Sequence, residues 1–138
     1  MSRSPLLALR AAILSHLAAD ADLARLMGGT VRLYDEPPRG VSPVYAVFGE
    51  AEAADDSVDG ARRHRHALAL TVFGRPGSSR SAIDAAEAMA GLLDDADLPL
   101  DGHALVALRV REIAASRDER TGETRAALTL RAVTEATP

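Results

Sequence analysis

Hydrophobic positions recur with a helical period at the start of the chain and alternate as in strands through most of the rest, but follow no period between residues 51 and 60. Leu6, Leu9, Ile13, Leu14 and Leu17 fall three and four residues apart, which predicts an opening helix with one buried face. Ser4 followed by Pro5 supplies its start, because the serine oxygen caps free amides and proline is already fixed at a helical φ. Asp20 or Asp22 restarts a short second turn carrying Leu23, Leu26 and Met27. Gly28-Gly29 ends it, since glycine accepts the left-handed conformation of a helix C-cap.

Val31 to Tyr34 alternates apolar and polar residues before the Pro37-Pro38 segment breaks it, predicting a short edge strand. Val44 to Glu50 predicts a second strand, and the aperiodic residues 51–60 a mobile connection. Arg62 to Phe73 predicts the longest strand, with Leu68, Leu70 and Val72 on one face and Ala67, Ala69, Thr71 and Phe73 on the other. Gly74 to Gly77 stops it. Ser79 or Ser81 then caps a helix to about Asp94 that buries Ile83, Ala86, Met89, Ala90 and Leu93. After a loop in which Leu98 and Leu100 pack down, Leu105 to Ile113 and Arg125 to Val133 predict two last strands. They are joined by residues 116–123, where Thr121-Gly122 signals a hairpin. The order α-β-β-β-α-β-β predicts an α+β fold, a mostly antiparallel sheet of four to five strands with two helices packed on it.

A chain of 138 residues is about one domain, expected to span 1–138, and one of this size buries roughly 70% of its unfolded surface. The apolar content is mostly Ala, Leu and Val, with four aromatic residues, so the core lacks large anchors and the subunit stands to gain stability from neighbours. Cysteine is absent, which excludes disulfides, thiolate metal sites and a cysteine nucleophile. The opening apolar stretch is interrupted by Arg10 and His16, so it reads as neither a secretion signal nor a membrane span, and a soluble cytoplasmic product is expected. A net charge of -4 argues against a dedicated nucleic-acid binder. Every basic residue is Arg, which reflects codon bias from a GC-rich genome.

No constellation with catalytic spacing appears. His64 and His66 lie two apart on a strand, as in a two-histidine metal clip, but a third ligand is missing, and two partly exposed histidines at a polar strand end explain them. Gly74 to Ser79 sits between a strand and a helix, yet lacks the lysine-bearing phosphate-loop pattern. There is no Gly-x-Ser-x-Gly elbow, and Asp94, Asp95 and Asp97 lack calcium-loop spacing. No catalytic, cofactor-binding or metal-binding residue is therefore assigned, and no cofactor is expected. The segments singled out for partner contact are charged. Asp55, Asp56 and Asp59 precede Arg62, Arg63 and Arg65, and Arg117, Asp118, Glu119 and Arg120 occupy the last hairpin tip.

The opening helix, the segment Ala21 to Gly29, Val31 to Tyr34 with Pro37-Pro38, Pro43 to Phe48, the strand ending at Phe73, the helix Ala82 to Leu93 and the closing Gly122 to Arg131 together resemble tail terminator, or tail completion, proteins of long-tailed phages and gene transfer agents. The likeness spans nearly the whole chain; the family's larger aromatics in the third strand are replaced here by Phe73 and alanines. The resemblance implies a non-enzymatic structural protein that forms a homohexameric ring at the head-proximal end of a tail tube. Such a ring stops polymerisation of the major tail tube protein, presents a surface to the head-tail connector protein and lets DNA pass without sequence-specific binding. It implies no membrane partner, and a location that is cytoplasmic during assembly and then within the particle. A ring needs heterologous contacts, for which the acidic residues 55, 56 and 59 of one subunit and Arg62, Arg63 or Arg65 of the next form a plausible pair. The alternatives are another head-tail joining or tail tube protein and, from a different class, a small ligand-binding protein or enzyme without a recognisable motif.

Overall fold

In the computed structural model, which describes residues 4–138, the elements run α1 (Pro5–Ala18), α2 (Ala21–Leu26), β1 (Leu33–Tyr34), β2 (Tyr45–Asp55), β3 (Arg63–Gly74), α3 (Ser79–Leu93), β4 (His103–Arg117) and β5 (Thr124–Ala136). The five strands form one sheet in the order β1-β2-β3-β5-β4. The pair β1 and β2 is parallel, and the other pairs are antiparallel. The expected α+β architecture is present, with α2 as a third, separate helix.

Local chemistry accounts for the helix ends. The Ser4 side chain accepts from the Leu7 amide at 3.1 Å and the Asp20 side chain from the Leu23 amide at 2.8 Å. Gly28 and Gly29 leave α2 with φ of 96° and 122°. The cap of α3 is Ser78, one residue before the expected serines, accepting from the Ser81 amide. Ser81 is instead buried, donating to the Ser78 carbonyl and accepting from the Arg75 amide. Gly74 is the close-approach point beneath it. A Cβ there would stand 2.5 Å from Thr124 Oγ1 and 2.8 Å from the backbone nitrogen of Ala82, so the end of β3 has no room for a side chain.

The helices cover one face of the sheet, with α3 lying across β3, β5 and β4 and α1 against α3 and β2. Beneath them, β3 contributes Leu68, Leu70 and Val72, and β5 contributes Ala126, Leu128, Leu130 and Ala132, all buried and paired in register. From the helices come Leu9, Ile13 and Leu17, then Ala82, Ala85, Ala86, Met89 and Leu93. Ile83 and Ala90, expected inside, are only half-buried, and Leu14 is 39% exposed. The buried stripe of α1 is thus narrower than its leucine content suggested, because only the Leu9-Ile13-Leu17 line faces the core.

Three strands are longer than their alternation predicted. The clearest correction concerns residues 51–60, expected as a mobile connection. Residues 51–55 continue β2, pairing from Ala51 with Leu68 to Asp55 with His64, and Val58 bridges to Ala61 within the turn. A strand with no alternating pattern forms because β3 supplies a ladder of partners, and a β-bulge between Phe48 and Ala51 carries it past the core.

Candidate assembly surfaces and the histidine end of the sheet

The charged residues singled out from the sequence lie in two groups at opposite ends of the sheet. Asp55 to Arg65 forms the β2-β3 hairpin tip, beside the end of β5, since Arg63 pairs with Glu135. Arg117 to Arg120 forms the β4-β5 tip, beside the end of β3, since Gly74 pairs with Thr124. The twelve residues of β3 separate them by about 40 Å at ~3.4 Å per residue.

Each tip is organised by its own polar groups. Asp55 Oδ1 accepts from the Ser57 amide at 3.2 Å and the Ser57 hydroxyl at 2.6 Å. Those bonds, with smaller help from His64 and Arg62, hold its carboxyl below the usual range. Asp56 pairs with Arg65 at 3.4 Å and Arg63 with Glu135 at 3.0 Å, all within one chain. Asp59 and Arg62 are exposed. At the other tip, Asp118 Oδ1 accepts from the amides of Arg120 and Thr121, Gly122 adopts φ 76°, and Arg117 donates to the Ser79 hydroxyl. Glu119 and Arg120 project freely at the surface.

On the uncovered face of the sheet, small side chains alternate with arginines. Four of those arginines carry a carboxylate partner: Arg63 and Glu135, Arg65 and Asp56, Arg109 and Asp94, and Arg125 and Glu123. Tyr45 and Phe73 stack at 5.0 Å on this face, Tyr34 adjoins Tyr45, and the Arg125 guanidinium sits over Phe73. Nothing in the alternation of single strands indicated this cluster, which depends on the β1-β2-β3-β5 order.

The histidines part company. His66 was expected to be partly exposed, but it belongs to the helix-covered face with Leu68 and is 1% exposed. Its Nε2 lies 2.9 Å from Thr134 Oγ1, and its Nδ1 meets no hydrogen-bond partner. Burial first, and then His64 and His103, depress its pKa to about 4. His64 stays half-exposed and, with His103, Asp55, Ser57 and Arg62, borders an open cavity of about 690 Å³ below the start of α1. Among the described residues no group of three histidine or carboxylate side chains is placed to hold a metal ion, and no helix is long and apolar enough to cross a membrane.

The architecture and length invite comparison with known proteins, and residues 11–135 match the family model described as tail completion protein gp17. The chain belongs to that family. It is a structural protein of a phage-like tail. Among solved structures, a chain in the virion of a native gene transfer agent particle is 32% identical, with a TM-score of 0.85 over 97% of this chain and all of that one. A second structure, 20% identical over 94% of both chains with a TM-score of 0.54, shares the fold. No curated protein matches the sequence significantly.

Proposed function

We propose that the protein forms a ring, expected to be a homohexamer, at the head-proximal end of a gene transfer agent or prophage tail tube, where it ends tube polymerisation and joins the tail to the head connector. The observation that carries this reading is the whole-length likeness to a chain of a gene transfer agent virion, within a tail completion family. The geometry supports it: charged tips at opposite ends of a rigid sheet suit a subunit that must meet one partner on each ring face. One face copies the growing surface of the tube well enough to bind, while the other lacks what the next tube ring needs. No bond is made or broken.

With Arg63 and Arg65 engaged inside the chain, Asp59 and Arg62 are the hairpin residues most available to a partner on one ring face, and Glu119 and Arg120 to a partner on the other. DNA passing through the ring would meet a protein of net charge -4. Unpaired arginines would grip phosphates with salt-sensitive affinity, so pairing them with carboxylates favours sliding. The particle is the final location, after assembly in the cytoplasm.

Electron microscopy of particles from cells lacking the gene tests the reading. Overlong tails are expected if the ring ends polymerisation, and tailless heads if joining dominates. Particles of normal tail length with heads attached would sink it.

A further inference from the structure

Two stretches of strand in this chain run along the rim of the sheet with no partner on their outer side. On β2, β1 occupies the outer edge only at Ala46 and Val47. On β4, the Asp95 amide bonds to the Leu108 carbonyl, and Asp94 Oδ1 accepts from the Val110 amide. Among the described residues no backbone hydrogen bond reaches the outer edge of residues 50–55 or 111–117. Both stretches are strand, and all their residues are exposed except the half-buried Ile113. Long open edges are normally shortened, covered, or guarded by proline or charge, because unsatisfied ladder groups recruit another strand. The charges here are acidic on one edge and mainly basic on the other, so they repel like edges and not each other. Here neither stretch contains proline, and the β-bulges at Phe48/Ala51 and Val110/Glu112 come where each free edge begins rather than interrupting it.

We infer that the free edge of β2, residues 50–55, pairs with the free edge of β4, residues 111–117, of a second copy of this chain, so that neighbouring subunits share one continuous antiparallel sheet. The inference rests on the ring reading above and specifies its subunit contact. Strand direction allows it. Successive strands from β2 to β4 are antiparallel, so β2 and β4 point opposite ways, and a rotated copy continues the alternation. The side chains are compatible. Edge β2 offers Ala51, Ala53 and Ala54 with Glu50, Glu52 and Asp55, and edge β4 offers Ala114, Ala115 and Ser116 with Arg111 and Arg117, against one acid, Glu112.

The offset between the edges fits a closed ring. Through the register, Ala53 is level with Ala132 of β5, whereas Ala114 is level with Ala127. That is a stagger of about 17 Å along the strands over a four-strand repeat about 19 Å wide. Closure with that stagger tilts the strands by about 40°, inside the range closed sheets adopt. The two edges are different surfaces, so the contact is heterologous and propagates around a ring.

Because the chain has no cysteine, engineered pairs report this contact without background. Ala53→Cys would be combined in one full-length chain with Ala114→Cys, Ala115→Cys or Ser116→Cys, covering neighbouring registers. Within one subunit these positions are on opposite rims, far beyond disulfide reach, whereas paired across a ladder their Cα atoms approach about 5 Å. The expected result on oxidation, with purified tail tubes present, is a reducible covalent ladder rising to the ring size for at least one pair, while Ala53→Cys alone yields none. Rings visible by native mass spectrometry or microscopy with no pair cross-linked would overturn the edge pairing and leave the ring standing. A chain that stays monomeric with and without tubes would overturn both.

Discussion

The middle strands and the rim strands are built from the same extended backbone, yet they are held in place by different forces. In β3 and β5 every second residue is buried under α3, from Leu68 to Val72 and from Ala126 to Ala132. On β2 beyond Gly49, all six residues to Asp55 are exposed, and β4 beyond Val110 is nearly so. Apolar burial fixes the middle strands in register, because a slip of one residue would turn every leucine to solvent. The rim stretches gain no such term and are held by ladder bonds to β3 and β5, by the Asp55-Ser57 turn and by the Asp118 turn. Exposed strand that persists without a core presents surface, which is why the rim rather than the middle is where partners are sought.

The largest effect expected within this contrast comes from the middle. Leu128→Ala removes a fully buried side chain facing Leu70 and should cost about 3 kcal/mol in urea unfolding; a loss below about 1 kcal/mol would show that the middle is not the stabilising region.

A slightly smaller effect is expected from acid. The folded-state pKa of His66 is lowered to about 4 from 6.5, so the folded chain binds fewer protons than the unfolded chain between those values. Stability is therefore full above pH 6.5, falls as pH drops towards 4 and levels off below, with a loss of up to about 3 kcal/mol. His66→Leu should flatten that part of the profile. An unchanged slope in the variant would assign the acid sensitivity to other groups.

The smallest effect belongs to the rim. Ala53→Ser and Ala115→Ser alter exposed positions and should shift the stability of the isolated subunit by less than about 0.5 kcal/mol. A larger shift in the denaturation midpoint of the monomer would mean that the rim contributes to the subunit's own stability, and the contrast with the middle would disappear.

Much of the architecture was present in the order of residues. Ser4-Pro5 and Gly28-Gly29 bounded the first helical region, the alternation Leu68-Leu70-Val72 identified the covered face of β3, and Thr121-Gly122 marked a turn, because each of these signals acts through neighbours in the chain. The order of those segments also sufficed to suggest the family. Tertiary structure alone decided the rest. Residues 51–55 became strand through pairing with residues 64–68 of β3, across an intervening turn, despite having no period of their own. His66 was buried because its face of β3 is the one the helices cover, and Ser78 rather than Ser79 or Ser81 took the cap because α3 seats against Gly74 and Thr124. The candidate contact residues were visible as charges, but their placement at two ends about 40 Å apart follows from the register of β3 with β5. Pairing energy between distant strands depends on which partner is available, and a linear pattern of hydrophobic and polar residues carries no record of that choice.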